Sequence, residues 1–187
     1  HAHHILVKNT IDAIRQQFPT IHIMVGNIAT AEAFEALQEW GANSIKCGIG
    51  SGAVCSTRVQ TGHGIPVLST ILNCVQIQKN AKIIADGGIK SAGDVVKALA
   101  FGADMVMVGS LLAGTSEAPG AEFLGRDGGM WKTYRGMASK DAQFEWKGQY
   151  KSYEGISTSI PYKGKVKDVL TDIIFNIKSG LSYSGAN

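Results

Sequence analysis

Short apolar runs alternate with amphipathic stretches along the first two thirds of the chain. Ile21–Gly26, Ser44–Cys47, Lys82–Ala85 and Asp104–Val108 read as strands, each apolar almost throughout. Between them, apolar residues recur at helical spacing. Ile11, Ile14 and Phe18 predict a first helix that Pro19 stops. Phe34 and Leu37 predict a helix over Ala31–Trp40, with Thr30 as N-cap and Gly41 as its end. Ile71, Leu72, Val75 and Ile77 predict another over Ser69–Lys79. Ser91 and Asp94 form a capping-box-like pair heading Ser91–Phe101, and a short helix-like run, Leu111–Ala113, follows the last strand. Strand–helix units thus repeat about every thirty residues. Strands with no polar face are buried on both sides, which predicts an α/β fold with a parallel sheet and helical crossovers.

After Gly120 the pattern breaks. Gly125–Gly129, with Arg126 and Asp127, reads as a hairpin turn. Residues 140–160 are polar and aromatic without a period and read as a mobile loop or flap; Ser56–Val67 is likewise aperiodic. Val166, Val169, Leu170, Ile173, Ile174 and Ile177 then make one clean stripe on a helix over Val166–Lys178, followed by a tail, Tyr183–Asn187.

Composition narrows the function classes. The 187 residues suffice for one domain with a sizeable core, and a net charge of +3 without clusters gives no footprint for nucleic acid. Glycine is abundant, at 23 residues, and concentrates in discrete loops, which favours ligand-cradling turns over low complexity. The three cysteines, with no CxxC pair, favour neither a disulfide framework nor a zinc site, and point to a reducing, cytoplasmic setting. No apolar run reaches about 18 residues and no signal-peptide pattern opens the chain, so neither a membrane span nor export is expected. His1, His3 and His4 read as a polar helix entry, since no cysteine or acid lies near them to complete a metal site.

In a parallel strand–helix array, ligands meet the carboxyl ends of the strands. Four loops follow the four strands there: Asn27–Thr30, Gly48–Thr57, Asp86–Gly88 and Gly109–Ser110. Asp86 offers an acceptor for a ribose, and the amides of Gly87, Gly88, Gly109 and Ser110 offer donors for a phosphate. Together they describe a nucleoside monophosphate site; the alternative is that the glycines only make tight turns. Cys55 closes the most glycine-rich of these loops. It is either a small packed hydrophobe or a nucleophile, with Thr57 close enough in sequence to handle a proton. Cys47 and Cys74 read as packing residues, and with His63 the one candidate for the usual histidine partner of Cys55, papain-like chemistry has little support.

Four ordered motifs, Gly48-Ile-Gly-Ser-Gly-Ala-Val-Cys-Ser-Thr-Arg58, Ile84-Ala-Asp-Gly-Gly-Ile89, Val106-Met-Val-Gly-Ser-Leu-Leu-Ala113 and Tyr134-Arg-Gly-Met-Ala-Ser139, resemble the IMP dehydrogenase/GMP reductase family over nearly the whole chain. The resemblance implies a (β/α)8 TIM barrel acting on purine nucleotides with a nicotinamide cofactor, its loop cysteine attacking purine C2. Within the family the chain looks more like GMP reductase: Thr57-Arg58 is followed by Thr61-Gly62, no arginine lies between Gly136 and Gly164 where the dehydrogenase flap carries an Arg-Tyr pair, and the tail holds Tyr183-Ser-Gly-Ala186. Gly109-Ser110 and Tyr134–Met137 also suit dehydrogenases, so IMP dehydrogenase, oxidising IMP to XMP with NAD, stays open.

By resemblance, Cys55, Thr57 and Glu154 would be catalytic in the NADPH-dependent reductive deamination of GMP to IMP. Asp86, Gly87, Gly88, Gly109, Ser110, Gly136, Met137 and Ala138 would hold the substrate. Ile49, Gly50, Met137, Gly155, Ile156, Tyr183, Ser184, Gly185 and Ala186 would meet the cofactor. Carbonyls of Gly50, Gly52 and Cys55 would ligate K⁺, with Arg58 nearby, and the assembly would be a homotetramer. Two features depart from the family pattern. Ser159 precedes Ile160-Pro-Tyr-Lys-Gly164 where the reductase carries its catalytic Glu, so either Glu154 substitutes through a shifted loop or deamination is impaired. Four strands are counted where the barrel has eight, so the chain is expected to hold its last four units as a single domain, with the N-terminal half missing, or to close a barrel by pairing two copies. A catalytically silent nucleotide-binding half-barrel is the reading from outside enzyme chemistry.

Overall fold

A computed structural model describes residues 1–151 and 153–186; Ser152, inside the 140–160 segment, and Asn187, the last of the tail, lie outside the described residues. The elements in chain order are α1 (Ile5–Gln17), β1 (Met24–Ile28), α2 (Ala31–Glu39), β2 (Ser44–Cys47), α3 (Thr57–Thr61), α4 (Val67–Val75), β3 (Lys82–Asp86), α5 (Ala92–Ala100), β4 (Met105–Met107), β5 (Glu122–Leu124), β6 (Met130–Arg135), α6 (Lys140–Lys147), β7 (Ser157–Pro161) and α7 (Val166–Tyr183). They divide into two compact units: His1–Ser51 with Gly64–Gly87 and Lys97–Met107, and Gly52–His63 with Gly88–Val96 and Val108–Asn187.

The first unit is a four-stranded sheet, parallel throughout, in the order β1-β2-β3-β4. Its strands alternate with helices, as the apolar runs predict. Ile45, Cys47, Ile83 and Ala85 on the two central strands are fully buried, together with Phe34 and Leu37 of α2 and Ile71 and Cys74 of α4. Each large side chain so buried contributes about 1.5–3 kcal/mol. Cys47 and Cys74 are packing residues, as their positions imply, and the neighbouring Cys74 thiol, together with burial, pushes the Cys47 thiol above its ordinary range. Burial on both sides holds only for the central strands: Met24 on β1 and Met105 and Met107 on β4 are exposed.

Several boundaries move. β1 starts three residues later than predicted and runs through Ile28, so Asn27 belongs to a strand and not to a loop. The Arg15 guanidinium takes the carbonyls of Pro19 and Ile21, which removes them from the ladder. α4 begins directly after Pro66, whose φ of −55° suits a helix entry, and ends at Val75, four residues short of the predicted Lys79. α5 starts at Ala92, with Ser91 outside it accepting the Asp94 N–H at 3.3 Å. α3, inside the aperiodic stretch, is too short at five residues to show a period. At the N-terminus His4 caps α1, its Nδ1 accepting the Leu6 N–H at 3.1 Å, which is the polar helix entry expected.

The second unit holds a three-stranded antiparallel sheet, β5-β6-β7. Gly125 N–H donates to Gly129 O at 2.7 Å and closes the expected hairpin. The segment read as an aperiodic loop contains α6, capped by Ser139 at its head and ended by Gly148 at φ +68°, and then β7. The apolar residues of α6, Phe144 and Trp146, face solvent, so there was no buried stripe to read. α7 runs five residues beyond the predicted Lys178 and takes Tyr183 from the tail. Its Gly180 passes so close to Val96 that a Cβ would lie 2.8 Å from the valine side chain.

Candidate active site

In the second unit, a turn and a pair of backbone bridges place a cysteine close to a carboxylate. Gly52 O accepts the Cys55 N–H at 3.1 Å, which folds the chain back at the cysteine. Beyond it, Val54 O accepts the Ile156 N–H at 2.9 Å and Glu154 O accepts the Ser56 N–H at 2.8 Å, so Cys55 pairs with Gly155. Gly155 also bridges to Ser139. Gly136 completes the junction: its N–H donates to Ile156 O at 3.0 Å, and a Cβ on it would lie 3.2 Å from Val54 O.

The side chains then form one directed chain. The Cys55 thiol donates to Thr57 Oγ1 at 3.2 Å, and the Thr57 hydroxyl donates to Glu154 Oε2 at 2.6 Å. A proton leaving sulfur therefore has a path through the hydroxyl to a carboxylate, and the same path returns it. Ser159, which the family pattern sets at the glutamate position, lies in β7 paired with Thr133; the carboxylate beside Thr57 is that of Glu154. His63 is not a partner: it lies just beyond α3, with its Nδ1 2.6 Å from Thr61 O.

In the first unit the loops after β2 and β3 interlock. Asp86 Oδ2 accepts from Asn27 Nδ2 at 2.8 Å and from Lys46 Nζ at 3.2 Å. Asn27 Nδ2 also donates to Gly48 O at 2.7 Å, and Ser51 Oγ donates to Asp86 O at 3.1 Å. Gly48 and Gly87 need to be glycine: at φ +146° and +99°, a Cβ would run into Asp86 O and Ser51 respectively. Gly50 is left-handed too, and Ile49 pairs with Ile65. Sequence reasoning missed Asn27, Lys46 and Ser51. A lone lysine in an otherwise apolar strand was the available signal for Lys46.

The remaining predicted residues are more scattered in role. Gly88, at φ +76°, faces open space. Gly109 and Ser110 do not open a helix; residues 109–115 are a turn in which Gly109 O accepts the N–H groups of both Leu112 and Ala113. Leu112 O accepts the Thr115 N–H at 3.0 Å, a second separate turn and not a continuous helical ladder, so the reading of 111–113 as helical is corrected. A Cβ on Gly109 would lie 3.3 Å from the Tyr134 hydroxyl, which brings that phenol, also missed, to the turn. Burial pushes the Tyr134 pKa up, which keeps it a donor. Ala138 O accepts the Glu154 N–H at 3.2 Å, and Met137 is 80% exposed. Ser184, Gly185 and Ala186 bond back to Gly180, Leu181 and Ser182 and cap α7, with Tyr183 exposed. Arg58 lies within α3.

Oxygen donors for a cation are present near the cysteine. Gly52 O keeps a second lone pair, and among the described residues the buried Ser56 hydroxyl has no hydrogen-bond partner. No group of three or more His, Cys, Asp or Glu could hold a metal among the described residues.

Comparison with known proteins adds the lineage. A model of the IMP dehydrogenase / GMP reductase domain matches residues 1–187. The inosine-5'-monophosphate dehydrogenase of Bacillus subtilis is 44% identical over all of this chain and 40% of its own length, and that of Aquifex aeolicus is 43% identical with the same coverage. A crystal structure of a GMP reductase variant from Trypanosoma brucei, in complex with guanosine 5'-monophosphate, superposes with a TM-score of 0.92 at 39% identity, covering 100% of this chain and 40% of that one. The chain spans about 40% of the length of the relatives it matches, and its four parallel strands with their helices correspond to consecutive units of their TIM barrel.

Proposed function

The chain belongs to the IMP dehydrogenase/GMP reductase family, and on that premise we propose that it supplies the nucleophile and acid of a GMP reductase. The observation that carries this reading is the hydrogen-bonded chain Cys55–Thr57–Glu154. Replacing the C2 amino group of GMP needs a sulfur nucleophile and a proton for the departing nitrogen. Cys55 gives its proton through Thr57 to Glu154 and attacks C2. Glu154 returns that proton through Thr57 to the nitrogen, which leaves as ammonia while sulfur stays bonded to C2. When bound, NADPH would supply a hydride for C2; Cys55, released from C2 as a thiolate, would take up a proton from the medium. The absence of arginine between Met137 and Gly164 supports reduction over oxidation, because the dehydrogenase flap uses an Arg-Tyr pair to activate water.

Asp86, oriented by Asn27 and Lys46, is the proposed ribose acceptor, and the amides of Gly87, Gly88, Gly109 and Ser110, with the Tyr134 hydroxyl, the phosphate donors. Met137 and Tyr183, both exposed, offer surface to the cofactor, whereas Gly155 is buried and Ile156 spends its N–H on Val54 and its C=O on Gly136. Gly50, Gly52 and Cys55 are the proposed K⁺ ligands, with Ser56 Oγ as an addition from the structure. Family likeness alone supports a homotetramer and a cytoplasmic setting; no helix among the described residues is long and apolar enough to cross a membrane.

A second reading, IMP dehydrogenase, draws support from the 44% identity to the Bacillus subtilis enzyme. The test uses the full-length protein that carries this chain. GMP with NADPH should consume reduced nicotinamide and release one ammonia per turnover, and Cys55→Ala should abolish both. Turnover of IMP with NAD⁺ and none of GMP would overturn the reductase reading, and GMP binding without either reaction would leave the silent module.

A further inference from the structure

Two lysines grip the turn that follows β4. Lys163 Nζ donates to Ser110 O at 2.7 Å and Leu111 O at 3.0 Å. Lys132, 2% exposed, donates from Nζ to Thr115 O at 2.7 Å and Ser116 O at 3.2 Å, with Glu122 Oε1 3.5 Å away. The backbone around Lys163 is laced to the same turn. Its N–H donates to Gly114 O at 2.8 Å, Gly164 O accepts the Ser116 N–H at 2.8 Å, and Glu117 Oε2 accepts the Val166 N–H at 2.8 Å. A Cβ on Gly114 would collide with Pro161 O, so the two segments meet backbone to backbone.

This grip fixes where the amides point. A trans peptide directs its C=O and N–H oppositely. Gly109 O points into the turn, toward the Leu112 and Ala113 amides, so the Ser110 N–H points out of it. Ser110 O points at the Lys163 ammonium, so the Leu111 N–H points away from that lysine. Two successive amides turned outward make the kind of concavity that binds an anion.

We propose that Lys163 is a positioning residue for the nucleotide 5′-phosphate: by holding the Ser110 and Leu111 carbonyls it aims the Ser110 and Leu111 N–H groups at that group, while Lys132 anchors the far end of the turn. The inference rests on the nucleotide reading above. It explains why a lysine that points at carbonyls, and not at the ligand, sits in this segment. Partial burial pushes the Lys163 pKa down.

The test compares GMP with guanosine, which lacks the phosphate, on the full-length protein. Lys163→Met keeps the stem and removes the charge. It should weaken GMP binding about tenfold, equivalent to about 1.4 kcal/mol. It should leave guanosine binding and kcat at saturating GMP within about twofold, the scatter expected of a site that keeps its chemistry. Lys163→Arg, whose fork can span two adjacent carbonyls, should restore most of the loss. Equal loss for GMP and guanosine, or none for either, would overturn the proposal, and so would an arginine variant no better than methionine. A wild-type protein that bound no GMP would overturn the nucleotide reading and this inference with it.

Discussion

Glu154→Gln isolates the proton step of the proposed reaction. The amide matches the carboxylate in shape and can still accept the Thr57 hydroxyl, which sits 2.6 Å from Oε2 in the native protein. What it cannot do is take the thiol proton and give it to the leaving nitrogen. A positioned general acid–base contributes roughly 10²–10⁴ in rate. That corresponds to about 3–5.5 kcal/mol of barrier. Turnover of GMP with NADPH, followed by nicotinamide absorbance and by ammonia release, should fall by that factor. The loss should appear in kcat, with KM for GMP nearly unchanged, because Glu154 is spent on Thr57. Thr57→Val should cost a similar factor and Thr57→Ser much less, since serine keeps the hydroxyl between sulfur and carboxylate. If Glu154→Gln turned over GMP within about threefold of wild type, below the smallest acid–base effect, the hydrogen-bonded chain would not be the proton path.

Gly155→Ala should disturb the same acid from behind. Its Cβ would lie 2.9 Å from Ser139 N and 3.1 Å from Ala138 C, neither of which can yield as a side-chain end would, so a melting experiment should show about 1–3 kcal/mol lost and an assay should show turnover falling with it. Asp104→Asn should flatten the acid side of the stability curve. Burial pushes the Asp104 pKa up, but the Ile83 N–H, Lys82 and Gln78 outweigh it and hold it below the ordinary 3.8. A carboxyl depressed by folding stabilises above its unfolded pKa and loses that contribution as pH falls through the folded one. Wild type should therefore lose more stability than the variant between about pH 5 and pH 2, measured by denaturant titration.

The parallel sheet was legible because its central strands are short runs built mainly of apolar residues, Ile83–Ala85 above all, and its helices were legible wherever a stripe met the core. What escaped notice lacked that contrast. β5 and β7 expose side chains such as Leu124 and Ser159, α6 turns Phe144 and Trp146 outward, and α3 is shorter than two periods. The site divides the same way. Cys55, Thr57 and Asp86 stand out as chemistry on glycine-rich loops. Glu154 was tied to them only by family likeness, because the bridges through Gly155 join residues about a hundred positions apart and leave no local pattern. Asn27, Lys46, Lys132 and Lys163 act on backbone or on other side chains, and their sequence signal is limited to being polar where neighbours are not.

The pairing of Ser139 with Gly155, together with the Glu154 N–H on Ala138 O, closes residues 140–153 into a loop whose two ends are fastened side by side. Among the described residues, the hydrogen bonds that set Glu154 beside Thr57 and Cys55 lie at or outside that clasp. The enclosed stretch is therefore an exchangeable cassette. Where the bonds of Asp141 to Ser157 and Glu145 to Arg135 are kept, lengthening it costs closure entropy, about 0.6 kcal/mol for each doubling, and leaves the distance from Thr57 to Glu154 to the clasp. Residues between 140 and 153 can therefore be exchanged while the Thr57–Glu154 hydrogen bond is held from outside them.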